Sequence, residues 1–154
     1  METTLIFIKP DAVQRGLIGP IVARFERKGL RLVGAKLMTV SEDLAKKHYA
    51  EHEGKPFYPG LIEFVTSSPV FVMAWRGVEA ITVCRKLIGA TNGRKAEPGT
   101  IRGDFGLSGG YNMIHGSDSP ESAARELALW FPSDEGLLDY TPTREQWAYD
   151  PSDL

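Results

Sequence analysis

Residues 112–119 read Asn-Met-Ile-His-Gly-Ser-Asp-Ser and set one histidine, His115, among small and polar side chains just ahead of a helix start. A neutral imidazole is a competent nucleophile near pH 7, because its unperturbed pKa is about 6.5. It can take a phosphoryl group and pass it on if one ring nitrogen faces the phosphate while an acceptor holds the other. Glu126, on the helix that follows, is placed to be that acceptor, and Ser117 to donate to phosphate oxygens or to a leaving group. The helix start itself offers free N–H groups and partial positive charge, which suit a bound anion. Cations stand at intervals around this segment: Lys9 at the end of the first strand, Arg85 on a helix, and Arg94, Lys95 and Arg102 in a long glycine-rich stretch.

Taken singly, each of these residues has a plainer reading. A lone histidine beside a turn is usually a polar residue and no more. Phe57 alone reads as packing, Arg85 as a solvated helix residue, and Lys9 as edge protection. Gly106, Gly109 and Gly110 have no lysine after them of the phosphate-loop type. No His-Arg-Asp or Asp-Phe-Gly pair of the protein-kinase type occurs. Arg102-Gly103-Asp104 spells an adhesion tripeptide, which in this chain reads as coincidence.

The elements that must position these groups follow from punctuation and periodicity. Residues 3–9 form an apolar, β-rich run stopped by Pro10. Gly19-Pro20 opens a helix with Ile21, Val22 and Phe25 on one face, and Gly29 closes it. Residues 30–40 return to a β-like pattern. Ser41-Glu42-Asp43 caps a helix through about Ala50. Residues 54–60 are a turn-rich break, and 70–76 a second clear strand. Residues 79–88 form a helix with Ile81, Cys84 and Ile88 at helical spacing and Gly89 as its stop, which turns Arg85 towards the rim. Residues 90–111 read as a functional loop. Ser119-Pro120 starts a helix through Trp130, and a tail with Tyr140, Trp147 and Tyr149 follows, suited to docking on this domain or a neighbour. This succession favours an α+β sandwich with helices packed on one sheet.

Composition bounds the rest. The chain has 154 residues, enough for one domain that buries a substantial core. Eighteen basic and twenty acidic side chains leave a net charge of −2, which excludes nucleic-acid or lipid binding by bulk charge. The single cysteine, Cys84, excludes an intrachain disulfide and argues against a cysteine-based zinc site. No apolar run approaches a bilayer's thickness and no secretion signal is apparent, so the expectation is a cytoplasmic protein without membrane contact.

Read together, the motifs form a pattern that no single residue carries. The intact Asn112-x-x-His-Gly-Ser-Asp-Ser resembles the nucleoside diphosphate kinases. So do Phe7-Ile8-Lys9-Pro10-Asp11, Val13-Gln14-Arg15-Gly16-Leu17, His48-Tyr49, Lys55-Pro56-Phe57 and Gly99-Thr100-Ile101-Arg102-Gly103-Asp104-Phe105. The resemblance covers nearly the whole chain and implies a single domain over 1–154 with a ferredoxin-like βαββαβ sandwich and an antiparallel sheet. It implies ping-pong transfer of the γ-phosphate of a nucleoside triphosphate, mainly ATP, to a nucleoside diphosphate, with His115 carrying the phosphate. It assigns Arg85, Thr91 and Arg102 to the phosphates, Lys9 and Asn112 to the ribose hydroxyls, and Phe57 to base stacking. Tyr49, Ser117 and Glu126 support the histidine, and His52 is a weaker candidate for a phosphate contact. Mg²⁺ is implied as a rider on the nucleotide phosphates, without a protein ligand cluster. A homo-oligomer is implied, hexamer rather than tetramer, with the 90–111 loop and the tail between subunits and Asp150 lent to a neighbour's site.

Two positions depart from the family pattern. Gly109 stands where many relatives place an apolar branched residue against the base, which leaves Phe57 as the only face of the clamp. Gly93 replaces a proline common in eukaryotic members and is expected to loosen its loop. Two competing readings are weighed: a non-catalytic nucleotide-binding scaffold, which the intact histidine motif opposes, and a nucleic-acid role, which the net charge does not favour.

Overall fold

The computed structural model describes residues 1–154. Four strands form one sheet: β1 (Glu2–Ile8), β2 (Arg31–Met38), β3 (Val70–Gly77) and β4 (Ile114–Gly116). Their order across the sheet is β2-β3-β1-β4, and every neighbouring pair is antiparallel. This is the ferredoxin-like arrangement, with the first and third strands in the middle. Alternation along the strands builds two cores. Ile6, Ile8, Met73 and Trp75 point to one face, where α2 (Ile18–Lys28) and α5 (Ala80–Ile88) cover them with Ile21, Phe25, Ala80, Cys84 and Ile88. Leu5, Phe7, Val70, Val72 and Ala74 point to the other, under Ala45 of α3 (Glu42–His48), Ile62 and Val65 of α4 (Tyr58–Thr66) and Trp130 of α7 (Pro120–Trp130). Helices therefore cover both faces of the sheet.

The punctuation signals hold at several ends. Ser41 Oγ accepts from the Leu44 amide and Ser119 Oγ from the Ser122 amide, both as N-caps. Gly29 ends α2 at φ 105°, a conformation that costs a side chain and not a glycine. Four elements escape the pattern reading: α1 (Pro10–Gln14), α4, α6 (Ile101–Phe105) and β4. The turn-rich break at 54–60 already contains the start of α4, with Pro59 inside its first turn. The 90–111 loop carries α6, capped by Thr100 Oγ1 on the Gly103 amide. β4 has three residues, too few to show a period, yet it carries His115.

Gly93 has a clear packing reason. A Cβ there would stand 2.4 Å from the Gly106 carbonyl group, so the two loop backbones touch where any side chain would force them apart. The expectation of a loosened loop meets a site where the glycine permits close packing.

The tail lies against the sheet edge. The Leu138 amide donates to Val33 O (2.7 Å), Tyr140 Oη to Leu32 O (2.8 Å), and the Val78 amide to Tyr149 Oη (3.2 Å). Arg31, which is buried, grips the Glu145 carboxylate through Nε (2.9 Å) and Nη2 (2.5 Å). Trp147 remains 86 % exposed and Leu138 69 %. No helix is long and apolar enough to cross a membrane.

Candidate active site

β4 delivers the histidine. His115 pairs with Phe7 across β1 and β4, so both rings lie on the same face of the sheet and stack 4.9 Å apart. His48, the last residue of α3, meets the His115 ring edge-on at 4.5 Å. His48 is itself fixed, because Trp130 Nε1 donates to its Nδ1 (3.1 Å). Burial drives the His48 pKa down to about 2, with His115 and Arg125 adding to the effect, so this ring stays neutral.

α7 supplies the group that sets the tautomer of His115. Nε2 lies 2.7 Å from Glu126 Oε1 and 3.2 Å from Oε2. An ionised carboxylate only accepts, so Nε2 carries the proton and Nδ1 keeps its lone pair. Burial lowers the His115 pKa, and the Glu126 hydrogen bond and charge partly offset that. The result is an imidazole that is neutral at pH 7, with one nitrogen held and the other free to attack. Glu126 is in turn held by Ser117 Oγ, which donates to Oε2 (2.8 Å). Ser117 is fully buried, behind the histidine. That corrects the expectation that its hydroxyl meets phosphate: its one proton is already directed at the carboxylate. The α7 start is similarly occupied, since Ser119 caps it and Ser122 Oγ donates to Asp118 Oδ1 (2.7 Å).

The cationic side of the site rests on the joint between β1 and α1. Lys9 is the N-cap residue of α1, and its Nζ donates to Asn112 Oδ1 (2.7 Å). Burial, then the nearby Arg102 charge, lowers its pKa to about 8. Arg102 on α6 is buried and donates to Asn112 O (2.9 Å), Gly89 O (3.2 Å), Ile114 O (2.7 Å) and Asn112 Oδ1 (3.4 Å). Four of its five N–H groups are thus engaged, and one on Nη1 remains for an incoming oxygen. Arg85 reaches from α5 to Gly116 O (3.1 Å), next to the histidine. Met113, between Asn112 and Ile114, sits at φ 70°, an uncommon conformation for such a side chain.

The family model for nucleoside diphosphate kinase matches residues 2–136. A nucleoside diphosphate kinase from Staphylococcus epidermidis is 61 % identical over 150 residues, spanning 97 % of this chain and all of that protein. One from Carboxydothermus hydrogenoformans is 57 % identical over the same length and coverage. The chain belongs to the nucleoside diphosphate kinase family. Among solved structures, the Halobacterium salinarum nucleoside diphosphate kinase in complex with CDP superposes with a TM-score of 0.93 at 52 % identity, over 97 % of this chain and 99 % of that one.

Within this kinase fold, the structure draws together His115, Glu126, Ser117, Lys9, Asn112, Arg102 and Arg85. Phe57 and Thr91 make no hydrogen bond, ion pair or ring contact with that group. Phe57 is the N-cap residue of α4, half exposed, with the His52 ring set edge-on at 5.3 Å between centroids and Lys55 Nζ 5.7 Å over its face. Lys55 Nζ and His52 Nδ1 lie 3.0 Å apart, which keeps His52 beside Phe57. Thr91 is exposed at the head of the 90–111 loop. Tyr49 is buried edge-on to His48, its pKa raised by burial and by the Glu126 charge. A Cβ on Gly109 would meet only Asn92, at 3.6 Å, so space beside this position stays open. Asp150 caps its own tail turn by accepting from the Ser152 amide (2.9 Å).

His48 and Met113 are site residues that pattern reading passes over. His48 enters the sequence reading only within the His48-Tyr49 motif, without a role, and the fold reveals Trp130 behind it. The resemblance implies no metal-ligand cluster. One grouping, His48, His115 and Glu126, has donor atoms within 4.8 Å of one another, and hydrogen bonds to Trp130 and Ser117 and between His115 and Glu126 account for it.

Proposed function

We propose that the protein moves the γ-phosphoryl group of a nucleoside triphosphate, chiefly ATP, onto a nucleoside diphosphate through a phosphohistidine at His115, and so maintains NTP and dNTP pools. The observation that carries this is the 2.7 Å contact of His115 Nε2 with Glu126, which commits Nδ1 to nucleophilic work. In the first half-reaction the Nδ1 lone pair attacks the γ-phosphorus, the P–O bond to the β-phosphate breaks, and the diphosphate leaves. In the second, a β-phosphate oxygen of the acceptor attacks the phosphorus, the P–N bond breaks, and the electron pair returns to Nδ1. One nucleophile serves both nucleotides in turn, which is the physical basis of ping-pong kinetics.

Positioning and neutralisation of spread charge dominate phosphoryl transfer. Arg85, Thr91 and Arg102 hold the phosphates, Lys9 and Asn112 the ribose hydroxyls, and Phe57 stacks the base, a contact every base can make. Tyr49, Ser117 and Glu126 keep the histidine in place. Binding of CDP by the Halobacterium relative supports a nucleotide ligand for this chain. Mg²⁺ enters on the substrate and neutralises phosphate charge when bound. The exposed Trp147 and Leu138 on the tail support association with further copies, six in our reading. A lone, buried Cys84 suits the reducing cytoplasm, where we place the protein, with no specific nucleic-acid or membrane partner.

Exchange between ATP and a second nucleoside diphosphate tests the reading. The wild type turns over with parallel double-reciprocal plots and His115→Ala does not. Normal exchange by His115→Ala overturns it.

A further inference from the structure

His48 is the one buried titratable ring at the site that the mechanism leaves without a task. It touches the nucleophile, meeting the His115 ring at 4.5 Å between centroids with the two planes 83° apart. Phe7 meets the same ring differently, stacked at 4.9 Å and 24°. The His115 imidazole therefore lies in a corner, with one wall along its plane and one across it. Phe7 and His48 also contact each other at 5.3 Å, and Trp130 packs on both, at 4.7 Å and 5.5 Å. These three side chains are at most 3 % exposed, so the corner is close-packed.

α7 holds both histidines. Glu126 and Trp130 stand four residues apart, about one helical turn, and both are buried. Glu126 accepts from His115 Nε2 (2.7 Å), and Trp130 Nε1 donates to His48 Nδ1 (3.1 Å). An indole N–H only donates, so His48 Nδ1 keeps its lone pair and the ring is fixed in its Nε2–H tautomer. Glu126 holds His115 at one atom, about which the ring can still tilt. Transfer needs the Nδ1 lone pair aimed at phosphorus, and a misplacement of about 1 Å costs on the order of 100-fold. We infer that His48 is a positioning residue for phosphoryl transfer: pinned by the Trp130 hydrogen bond, it is the wall that stops His115 from tilting and keeps Nδ1 aimed. A hydrocarbon ring in its place has nothing to pin it and leaves the buried indole N–H unpaired. Burial keeps His48 neutral, so the wall adds no charge against the one that grows on His115 during attack.

This role rests on the kinase reading above, and two variants address it. Trp130→Phe keeps an aromatic ring and deletes the N–H; His48→Phe keeps the wall and deletes the acceptor. In rapid-quench experiments with labelled ATP, burst amplitude counts competent sites and burst rate reports transfer at each of them. Both variants keep the wild-type amplitude per folded chain and slow the burst by about 10- to 100-fold, while the ATP concentration giving half the maximal rate stays unchanged. A merely structural role does the reverse, lowering the amplitude and sparing the rate. Because both changes break the same bond, the double variant is slower than the worse single by no more than about twofold. Relaxation of carbon-labelled histidine rings in the nucleotide-free protein reads the wall without turnover: the His115 order parameter falls in either variant. Should one variant fail to fold, burst and relaxation in the other make the comparison. A wild-type burst rate in a folded variant overturns the inference, as do losses that multiply in the double variant or an unchanged His115 ring order. A wild type whose His115 ring is ordered as described but which takes no phosphate from ATP contradicts the kinase reading instead.

Discussion

Replacing Glu126 by glutamine removes one charge from the site and keeps its volume. The wild-type carboxylate is buried and takes two hydrogen bonds, from His115 Nε2 at 2.7 Å and from Ser117 Oγ at 2.8 Å. Hydrogen bonds to an ionised group contribute about 1.5–3 kcal/mol. At about 1.4 kcal/mol per factor of ten, the loss of one such bond slows transfer by roughly 10- to 150-fold. The charge develops where it matters: as Nδ1 binds phosphorus the ring becomes more positive, and Glu126 stabilises that. Glutamine still offers one oxygen, so the smaller end of the range applies to it and the larger to Glu126→Ala, which leaves His115 without its acceptor and Ser117 with only the Leu5 carbonyl at 3.3 Å. Because Glu126 is buried behind the ring, KM for the nucleotide stays within about twofold of wild type, a bound set by its lack of any uniform-binding contact. The sign of the pH effect also follows. Glu126 raises the His115 pKa against burial, so in either variant that pKa drops further and any acid limb due to His115 moves to lower pH. Rapid-quench measurement of phosphoenzyme formation from labelled ATP reads the step directly. Wild-type rates in both variants refute the role assigned to this contact.

The remaining predictions concern stability, pH and coupling. Glu145→Ala strands the buried Arg31 charge and lowers stability by about 3–5 kcal/mol; scanning calorimetry should show a Tm lower by roughly 10 °C. Below pH 6.5 the unfolded chain protonates His48 while the folded one, with a pKa of about 2, does not. The unfolded state binds the extra proton, so His48 makes stability fall by about 1.4 kcal/mol per pH unit as pH drops below 6.5; urea melts of His48→Gln, in which that slope is absent, check it. Phe64 of α4 and Tyr111 stack at 4.9 Å and join the helix that Phe57 precedes to the 90–111 loop, which leads into Asn112. A double-mutant cycle on Phe64→Leu and Tyr111→Ala should give a coupling of about 0.5–1.5 kcal/mol in nucleotide KM, with kcat little changed. Additive effects there remove the bracing role.

What the sequence makes legible divides along physical lines. Long apolar strands and capped helices announce themselves: residues 3–9 and 70–76, the Ser119-Pro120 start and the Gly29 stop all stand where their chemistry places them. β4 and α6 do not, because three and five residues are too few to establish a period. α4 is hidden by Pro59 and Gly60, which read as turn residues although a proline fits a first helical turn. Strand order lies outside local pattern altogether, and only the family resemblance supplied it. The histidine and Glu126 were legible as a nucleophile and its acceptor because they sit eleven residues apart across one turn and helix start. His48 was not, since the Trp130 that fixes it is 82 residues away. Ser117 reads both as a support of the histidine and as a donor to phosphate, and only its contact with Glu126, a three-dimensional fact, favours the first.

The most direct test of the central claim is intact-protein and peptide mass spectrometry after brief exposure to ATP and Mg²⁺ with no acceptor. The account predicts one added phosphoryl group per chain, located on His115, stable to base, lost in acid, and discharged at once by any nucleoside diphosphate. A phosphoryl group found on another residue, or a protein that stays unmodified while exchange proceeds, contradicts it.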